Sequence, residues 1–499
     1  MECLYPPFNW TQKNSNDAIP ITDTKEYVSG YDVYIAKYIA DYLDMDLEIY
    51  KIKWEGLIPS LEGNMIDVII AGMSPTKERR KSIDFSDGYY LSDTCIVIKK
   101  DSIYKNAKSI NDFENAKITS QQGTLPYTVI DQIKNVNKQE AMTDFSAMRV
   151  AVISGIIDGY VAERSEAISA SKKISDLTYI DLKNNENGFK IDPTIGMAAI
   201  GIKKGNTTLL NKINEALSKL PEEKRNELMN KAIDSQLIND TEDNSDNSSF
   251  INKTIDIFNK YKGMFLRGTL VTIFLSLSGT IIGLIIGLLT GVIRTIPPKE
   301  KDGKLPLYLK LINNIISIYI EIFRGTPMIV QSMVFYYGFA IITGIQIDKF
   351  LAAIIIVAIN TGAYMSEVVR GGIKSIDVGQ FEAAKSLGMT HFQTMKHIIL
   401  PQTIRNILPA TGNEFIINLK DTSVLNVISV NELFYQSNSI ASTNYSFFET
   451  FSITALIYFT LTFIITRILR FIEQKLDGPS NYKKIDVDFV KSGQDQINN

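Results

Sequence analysis

The sequence predicts a soluble α/β domain followed by an all-α membrane domain with about five transmembrane helices. Charged residues are spread throughout residues 1–233, where short apolar runs alternate with segments of helical periodicity. Such alternation is typical of βαβ units and an α/β fold. After residue 263 long uncharged stretches follow, and the first, 268–293, has 26 positions, whereas about 20 are enough to cross a bilayer. The 499-residue chain therefore divides into at least two parts.

The composition excludes several other classes of protein. The chain has 52 Lys and Arg against 55 Asp and Glu, which argues against the basic surface of a nucleic-acid-binding protein. Two cysteines (Cys3 and Cys95) and two histidines (His391 and His397) are too few for a disulfide-rich scaffold or a metal centre of these ligands. We expect no metal in this chain and two unpaired thiols. A Cys3–Cys95 disulfide is the alternative outside the cell.

The soluble half shows the periods of both helix and strand. Residues 33–43 carry apolar side chains at helical spacing, which predicts an amphipathic helix with one buried face. Residues 66–73, IDVIIAGM, are mostly apolar, which predicts a short buried parallel strand. Residues 235–252 are rich in Asn, Asp and Ser, and we interpret them as a solvated linker because they are too polar to form a core.

The segment 71–80, AGMSPTKERR, follows this strand and is expected to open a short helix with Ser74 and Thr76 in its first turn. Backbone N–H groups and hydroxyls at a helix N-terminus form an anion site, and the guanidinium of Arg79 can bind a carboxylate in a bidentate manner. A capped helix beside a solvated arginine fits the same residues, so the segment alone leaves both interpretations open.

The second half contains five candidate membrane spans. Four are uncharged, and a weaker one contains Glu414, Lys420 and Asp421; the five are 268–293, 327–347, 350–366, 406–430 and 450–466. A single stretch of this kind could be a buried core helix. Five of them in one half of the chain predict a multi-pass protein of the cell membrane.

Basic residues are concentrated in alternate loops of this half. Two loops hold five each and more follow the last span, whereas the intervening loops hold one and none (294–310, 370–405, the tail after 466, 342–349 and 433–446). Because cytoplasmic loops carry the excess of positive charge, we expect the soluble domain outside and the C-terminus in the cytoplasm. Lys260, Lys262 and Arg267 fall on the outer side and count against this orientation. An exported domain needs a signal or anchor, and we expect one to precede MECLYPPFNW.

Several motifs in residues 1–235 resemble the polar amino-acid solute-binding proteins of ABC importers: YPPFNW (5–10), GYDVYIAKYIA (30–40), WEGLIPSL (54–61), IDVIIAGMSPTKERRKSIDFSDGYY (66–90) and QQGT (121–124). The resemblance implies a type II periplasmic-binding-protein-like domain, in which two α/β lobes close on one amino acid. It implies a binding domain over 1–234, with lobe 1 at about 1–98 and 190–234 and lobe 2 at about 99–189.

The same resemblance implies a site for the ligand's α-carboxylate. Arg79 would bind the carboxylate, and Gly72, Ser74 and Thr76 would be its partners in the loop. Thr124 would reach the same carboxylate from lobe 2.

The remaining site residues implied by the resemblance serve the ammonium group and the ligand side chain. Glu163 lies where the family usually has an aspartate that binds the α-ammonium group. Tyr5 and Trp54 would sandwich the ligand side chain, with core packing as their alternative role. Glu2 would meet a cationic side chain, which favours a polar or basic amino acid without identifying it.

The segment GQFEAAKSLGMTHFQTMKHIILP (379–401) lies in the longest predicted cytoplasmic loop. Its apolar spacing predicts two short helices, broken at Gly388 and ended by Pro401. The segment resembles the EAA loop of ABC importer permeases, which implies contact with an ATP-binding subunit through Glu382, Ala383, Ala384, Gly388 and Pro401.

Other motifs of the second half resemble the amino-acid branch of these permeases: RGTP (324–327), LPQ (400–402), NE (413–414) and LKDTS (419–423). The implied organisation is a polar linker at 235–260, a permease domain at 261–478 and a polar cytoplasmic tail at 479–499. Members of this branch work as dimers, so we expect a homodimer of the permease domain.

These resemblances imply the substrate-binding and permease component of an ATP-driven importer, which captures a polar or basic L-amino acid outside. The chain contains no G-x-x-x-x-G-K-[ST] motif, so we expect ATP and magnesium on a separate ATPase subunit and no cofactor here. We expect a transporter subunit rather than an enzyme, because a lyase carrying this domain would need a soluble catalytic domain where the spans lie.

The main alternative is a ligand-gated ion channel or receptor that uses the same two-lobed domain. In such channels the pore helices interrupt the binding domain, whereas here the binding-domain pattern runs through residue 233 before any span.

Overall fold

The computed structural model describes residues 1–91, 93–183, 186–238, 250–297, 305–444 and 446–476. The chain forms two compact units, each built from segments that are distant in sequence. Unit 1 comprises Met1–Gly279, Gly325–Val357 and Leu419–Ile457; unit 2 comprises Thr280–Arg324, Ala358–Asn418 and the chain from Tyr458 onward. The soluble domain predicted from the sequence thus lies entirely within unit 1.

Twelve strands are present among the described residues, all in the soluble part of unit 1. They are β1 (Leu4–Tyr5), β2 (Asn9–Gln12), β3 (Ile19–Pro20), β4 (Tyr27–Ser29), β5 (Val68–Ile69), β6 (Ile83–Leu91), β7 (Thr94–Lys99), β8 (Lys117–Thr119), β9 (Asn137–Lys138), β10 (Gly159–Glu163), β11 (Leu177–Ile180) and β12 (Met197–Lys203). They form sheets of order β1-β2-β4-β3, β5-β12-β6 and β11-β7-β10-β8-β9. Among these described ladders, two are parallel: β10 with β8, and β8 with β9.

Two α/β lobes follow from this connectivity, as predicted. The four-stranded and three-stranded sheets belong to lobe 1, and the five-stranded sheet belongs to lobe 2. The chain enters lobe 2 between Leu91 and Thr94 and returns to lobe 1 between Ile180 and Met197. The sheet pairing does not test the exact lobe limits given above, and the limits at 99 and 189 stay predictions.

Helices connect the strands of both lobes. Their bounds are α1 (Tyr31–Leu43), α2 (Leu57–Glu62), α3 (Arg79–Ser82), α4 (Leu125–Val129), α5 (Phe145–Ile153), α6 (Arg164–Lys173), α7 (Pro193–Gly196), α8 (Thr207–Ser218) and α9 (Glu222–Ile238), with 3₁₀ turns at Trp54–Gly56, Ile110–Phe113 and Ile130–Gln132.

Helix α1 confirms the amphipathic helix predicted at 33–43. Val33, Ala36 and Ile39 are buried on one face. The helix follows Gly30, whose φ is +130° and whose backbone passes so close to Phe8 that a Cβ would lie 2.3 Å from the Phe8 carbonyl oxygen. Only glycine combines this conformation with this close approach.

The segment 66–73 differs from the prediction of a buried parallel strand. Only Val68–Ile69 forms a strand, β5, and it pairs with β12 in the antiparallel direction. An apolar run shows that both faces of a strand are covered, but not the direction of its partner. The prediction that Ser74 and Thr76 lie in the first turn of a helix is also wrong, because α3 begins only at Arg79. Pro75 disfavours helical backbone at the residue before it.

All the secondary structure described in the second half of the chain is helical. The helices are α10 (Phe250–Ile293), α11 (Leu307–Gly325), α12 (Met328–Met333), α13 (Phe339–Thr343), α14 (Lys349–Lys374), α15 (Val378–Ser386), α16 (His391–Thr394), α17 (Leu400–Asp421), α18 (Leu433–Asn444) and α19 (Phe447–Leu476), with π-helical turns at Val334–Gly338 and Met395–Ile399 and a 3₁₀ helix at Thr422–Ile428.

Three of these helices are long and apolar enough to cross a membrane: 250–294, 349–374 and 447–475. A fourth span results if the pair 307–325 and 328–343, bent by 111°, is one broken span. Pro327 at the break accounts for the bend. The weak candidate at 406–430 is divided between α17 and the 3₁₀ helix that follows, and it does not qualify as a span by length and hydropathy.

Both ends of the predicted linker are helical in the structure. Its first residues belong to α9, and its last residues belong to α10, which continues without a break into the membrane span. Residues 239–249 of the predicted linker and the predicted tail at 479–499 lie outside the described residues.

Helices α10 and α14 pack closely within unit 2. A Cβ added at Gly283, Gly287 or Gly291 would lie less than 3 Å from atoms of α14, so these glycines let the two backbones approach. The Asn418 amide donates hydrogen bonds of 2.9 Å to the hydroxyls of both Thr280 and Thr361. Apolar surroundings leave buried amides no water partner, so this network fixes α10, α14 and α17 to one another.

Candidate functional site

Arg79 is held between backbone carbonyls of the two lobes. Its Nη1 donates to the Ser74 carbonyl at 2.7 Å, and its Nη2 donates to the Gly123 carbonyl of lobe 2 at 2.8 Å. The guanidinium also lies 5.0 Å from the centroid of the Trp54 ring. Burial lowers the pKa of Arg79 to about 10, so the side chain stays cationic at neutral pH. Its bonding partners are neutral, and its charge therefore remains available to a bound anion.

The loop before Arg79 is held in place by hydrogen bonds among its own residues. The Thr76 N–H donates to the Ser74 carbonyl at 3.0 Å, and the Thr76 hydroxyl accepts a bond from the Arg79 N–H at 3.4 Å. Gly72 has φ +59°, and a Cβ there would lie 3.1 Å from the Tyr5 ring. Its N–H donates to the Tyr89 hydroxyl at 2.9 Å. Gly72 thus brings the loop against Tyr5 in a conformation that favours glycine.

Thr124 lies next to this arginine on the lobe 2 side. It precedes α4, and its hydroxyl donates to the Gln121 carbonyl at 2.6 Å. Gly123, with φ +69°, turns the loop so that its carbonyl meets Arg79. Thr124 is therefore the next residue after the carbonyl that Arg79 binds, and its role toward a carboxylate stays a prediction.

Tyr5 and Glu163 form a second contact between the lobes. The Tyr5 hydroxyl of lobe 1 donates a short hydrogen bond to the Glu163 carboxylate of lobe 2. The Tyr5 ring stacks between Phe8, at 5.0 Å, and Phe145, at 4.9 Å. Burial raises the pKa of Glu163 to about 7, although its bond with Tyr5 opposes this shift.

Two buried networks support these groups from below. Asp32 accepts bonds of 2.6 Å from both the Tyr89 hydroxyl and the Asn9 amide, and Tyr89 in turn holds the Gly72 N–H. Arg149 and Glu166 form a buried ion pair at 2.7 Å in lobe 2. These are positioning residues, because they hold the backbone and helices on which the candidate site is built.

Glu2 stands apart from the other predicted residues. It is buried, and burial raises its pKa to about 7, while nearby Lys53 lowers it. Lys53 and Asp144, which also acts on Glu2, adjoin Trp54 and Phe145 in sequence. No contact described in the structure joins Glu2 to Arg79 or Glu163.

Sequence reasoning missed Phe145 and the Gly123 carbonyl. Phe145 forms one of the two stacking contacts on Tyr5, and it follows Asp144, whose side chain caps α5 by accepting a bond from the Ala147 N–H. The helix-start residue Asp144 could have drawn attention to Phe145. A carbonyl leaves no trace in the side-chain pattern.

The 379–401 loop belongs to unit 2 and is helical on both sides of Gly388. Gly388 has φ +72° between α15 and α16, and an added Cβ would meet no atom within 4 Å. Ala384 is buried, whereas Glu382 and Ala383 are exposed. The prediction that Pro401 ends the second helix is wrong, because the chain continues from α16 through a π-helical turn into α17, which contains Pro401 in its first turn. The π-helical turn just before Pro401 lets the helix continue past a residue that has no N–H group.

Within unit 1, the binding domain contacts α18 through polar groups of both lobes. Lys51 donates to the Ser439 hydroxyl at 2.7 Å, and the Thr443 hydroxyl donates to the Thr11 carbonyl at 3.0 Å. From lobe 2, the Ser146 hydroxyl lies 3.2 Å from the Ser442 hydroxyl. One helix thus contacts both lobes at once.

A second contact surrounds the 3₁₀ turn that carries Trp54. The Lys53 N–H donates to the Ser429 hydroxyl at 2.9 Å. A Cβ at Gly56 would lie 2.1 Å from the Tyr337 hydroxyl, so only glycine permits this approach. The Gln346 amide also donates to the Asn64 carbonyl.

Both halves of the chain match known families. Residues 5–235 match the bacterial extracellular solute-binding proteins, family 3, and residues 307–478 match the binding-protein-dependent transport system inner membrane component. A putative glutamine transport system permease protein of Rickettsia typhi is 37% identical over 211 residues, which cover 42% of this chain and 92% of that protein.

Two further similarities concern one half each. An arginine transport system permease protein of Bacillus subtilis is 39% identical over 162 residues, which cover 32% of this chain and 74% of that protein. The crystal structure of the substrate-binding protein of an amino acid ABC transporter is 30% identical and covers 47% of this chain and 95% of its own, with a TM-score of 0.37.

Proposed function

We propose that this chain, which belongs to the amino-acid ABC transporters as a fusion of a family 3 solute-binding domain with an inner-membrane permease domain, captures a polar or basic L-amino acid outside the cell and delivers it to its own permease. The observation that carries the proposal is a cationic Arg79 whose described side-chain hydrogen bonds go to neutral carbonyls, together with a Glu163 carboxylate that is bonded across the lobes to Tyr5. This is the charge pattern of an amino-acid head group.

In this proposal the carboxylate of the ligand replaces the lobe 2 carbonyl that Arg79 now binds. Arg79 would exchange the Gly123 carbonyl for the ligand's α-carboxylate, because a guanidinium and a carboxylate, both charged, can form two parallel hydrogen bonds. Ser74, Thr76 and Thr124 would add hydroxyl or N–H donors around it, and the Gly72 loop would keep the backbone close.

The ammonium group would bind Glu163 in place of the Tyr5 hydroxyl. Trp54 would flank the ligand side chain, and Tyr5 would do so through the ring face that Phe145 of lobe 2 now covers, which requires that stacking contact to open. Glu2 would favour a cationic or amide group at the far end. Two similar permeases are named for glutamine and arginine, which supports a polar or basic substrate and leaves the choice to measurement.

The contacts within unit 1 support the proposed orientation. The binding domain contacts Gln346 and residues 439–443 of the permease part. These residues belong to the two loops that are poor in lysine and arginine, which the charge rule assigns to the outside. An exported binding domain and a cytoplasmic C-terminus are consistent with both observations.

Coupling to ATP would require a separate ATPase and a second permease copy. The EAA-like loop supports this part of the proposal, because it presents exposed residues on α15 and is followed by Gly388, whose positive φ favours glycine. A ligand-gated channel has no use for such a loop, so we do not favour that alternative.

Calorimetry on the purified full chain, titrated with each of the standard amino acids, tests the proposal. The tightest ligand should then bind Arg79→Ala at least about 30-fold more weakly, because a charged hydrogen bond contributes roughly 1.5–3 kcal/mol and an unpaired buried carboxylate costs more. Lys81→Ala is the control, since it removes an exposed positive charge from the same helix, α3. A change below threefold for Arg79→Ala, or an equal loss in both variants, would remove Arg79 from the site.

A further inference from the structure

A cavity of about 260 Å³ lies in unit 1 between the binding domain and the permease part. This volume is just below the roughly 300 Å³ at which pockets for drug-sized ligands begin, so it suits one smaller molecule. The lining includes Asp23, Ile52 and Met65 of the binding domain and Tyr336, Lys349 and Ser429 of the permease part. The described lining does not include Arg79, Trp54 or Glu163, which we call the capture site, so the cavity is a separate space.

One acid and one lysine of the lining come from the two sides of this junction. Asp23 precedes β4 in the binding domain and is exposed, whereas Lys349 begins α14 and is half-buried. Their charges act on each other. Among the described residues, however, neither side chain has a hydrogen bond or an ion pair within 4 Å. The two groups therefore attract each other across a gap that a ligand can enter.

The other charged residues of the lining are engaged elsewhere. Lys51 forms an ion pair of 3.9 Å with Glu26. Asp348 accepts hydrogen bonds from two backbone N–H groups of α14, at 3.0 and 2.9 Å, and so caps that helix. Asp23 and Lys349 are thus the pair that can meet a ligand.

An acid and a lysine that share a gap are complementary to a zwitterion. The ammonium and carboxylate groups of an amino acid flank one carbon, so the first can pair with Asp23 while the second pairs with Lys349. Hydrogen bonds between charged groups are about twice as strong as those between neutral ones. Met65 and Tyr336 add apolar surface for the side chain of the ligand.

The permease side of the cavity has irregular backbone. Tyr336 belongs to the π-helical turn at Val334–Gly338, and Ser429, with φ +60°, follows the 3₁₀ helix at Thr422–Ile428. Irregular backbone in a membrane domain is tolerated where it is buried in protein or lines a water-filled cavity. Both π-helical turns and non-glycine residues of positive φ occur frequently at functional sites. Two such features line this one cavity.

The cavity adjoins the turn that carries Trp54. Ile52 lines the cavity, and Trp54, two residues later, stacks against Arg79 of the capture site. Two residues of extended chain span at most about 7 Å. Lys53, between them, donates its N–H to the Ser429 hydroxyl at 2.9 Å. A single stretch of chain therefore separates the capture site from the cavity.

We propose that this cavity is a second amino-acid site, in which Asp23 binds the ammonium group and Lys349 binds the carboxylate of a substrate that passes from the binding domain to the permease. The inference rests on the proposed function, because its ligand is the captured amino acid. A site of passage must also release its ligand, so we expect weaker binding here than at the capture site.

Equilibrium dialysis of the purified full chain against radiolabelled L-glutamine and, separately, L-arginine tests the proposal. The background variant is Arg79→Ala/Glu163→Gln, which removes both head-group charges from the capture site. One weak, saturable site should remain for at least one of the two amino acids. Adding Asp23→Asn or Lys349→Gln should weaken it by about tenfold or more, because each removes a charged hydrogen bond to the ligand.

Lys25→Gln and Asp67→Asn are the matched controls, because each removes the same kind of charge from an exposed residue outside the cavity lining. Both should leave the weak site unchanged in the same background. The response to Asp23→Asn locates the site, since a site within the permease alone would not depend on a residue of the binding domain. Each variant is also made with the capture site intact, and retained capture there shows that the chain is folded.

Three results would overturn the proposal: no saturable binding of either amino acid in the background variant, binding that neither Asp23→Asn nor Lys349→Gln weakens, or an equal loss in the controls. Tight binding that survives in Arg79→Ala/Glu163→Gln would instead contradict the proposed function. In that case a weaker second phase that responds to the cavity variants would still support this site, and its absence would contradict it.

Discussion

At the scale of single residues, the contacts between the lobes include two charged groups whose described partners are neutral. Arg79 bonds to the carbonyls of Ser74 and Gly123, and Glu163 accepts a bond from the Tyr5 hydroxyl. Each bond joins lobe 1 to lobe 2 or to the loop at its edge. The same groups can therefore close the lobes without a ligand and exchange their partners for an amino-acid head group.

The raised pKa of Glu163 predicts that amino-acid binding weakens in acid. Glu163 has a pKa of about 7 before binding, and pairing with an ammonium group must lower it, because only the ionised form attracts a cation. Below pH 7 the ligand therefore binds with loss of a proton, and its affinity should fall by up to about tenfold per pH unit. Calorimetry of the full chain between pH 8 and pH 5 measures this slope.

The variant Glu163→Gln should bind weakly at every pH and should flatten the profile. Measured with a ligand whose side chain is uncharged, Glu2→Gln is the comparison, because Glu2 titrates in the same range but is proposed to meet the ligand side chain rather than the ammonium group. If the slope persists in Glu163→Gln and disappears in Glu2→Gln, the ammonium group binds elsewhere.

At the scale of elements, the sequence predicted the helices that follow from apolar periodicity. It missed the features that depend on a distant segment, such as the direction of a strand. Helix α1 follows from apolar spacing alone, and the positive φ at Gly388 follows from a glycine between two helical segments. The direction of β5 depends on β12, which lies more than a hundred residues later. The bend between α11 and α12 could have been predicted from Pro327, which lies between the two helices.

The candidate site likewise contains residues that local motifs predicted and residues that they did not. The motif resemblance named Tyr5, Arg79 and Glu163, and the structure connects all three through the Gly72–Ser74 loop. Phe145 and the Gly123 carbonyl belong to lobe 2, and they meet lobe 1 only after the chain has crossed between the lobes. Short-range patterns carry no information about such contacts.

Gly388 should transmit the ATPase signal without affecting ligand capture. Its φ of +72° makes a branched side chain cost about 1–3 kcal/mol, although an added Cβ would meet no atom within 4 Å. In proteoliposomes with the ATPase subunit, Gly388→Val should abolish transport and substrate-stimulated ATP hydrolysis. Amino-acid affinity of the full chain should be unchanged.

Gly371→Ala is the comparison for that variant. Gly371 lies inside α14, also has open space around an added Cβ, and does not have a positive φ, so alanine there should be tolerated. Wild-type import by Gly388→Val would show that the loop is not the coupling element.

At the scale of the whole molecule, charge distribution and domain contacts point to the same orientation. Ile345 lies in a loop poor in basic residues and is 60% exposed, whereas Ser386 is exposed in the basic loop that contains α15. A cysteine at Ile345 should react with an impermeant thiol reagent on intact cells, and one at Ser386 should react only after lysis. Cys3 and Cys95 are buried and should give little background. The reverse labelling pattern would contradict the orientation.

The last prediction is that the contact of α18 with both lobes belongs to the transport cycle. Ser146 and Ser442 have their hydroxyls 3.2 Å apart, a separation compatible with the short Cβ–Cβ distance of a disulfide. Ser146→Cys/Ser442→Cys should therefore cross-link under mild oxidation. Because α18 also bonds lobe 1 through Thr11 and Lys51, closing the lobes on an amino acid should present both surfaces together and accelerate the cross-link.

Once formed, this bond should arrest import in proteoliposomes, and a reductant should restore it, since the binding domain must leave α18 before it can reopen. Ser154→Cys/Ser442→Cys is the control, because Ser154 follows the far end of α5 and bonds only its own helix. Full cross-linking with undiminished import would show that the binding domain need not separate from α18, and failure of the first pair to cross-link above the level of the control would show that the contact is not formed in the working transporter.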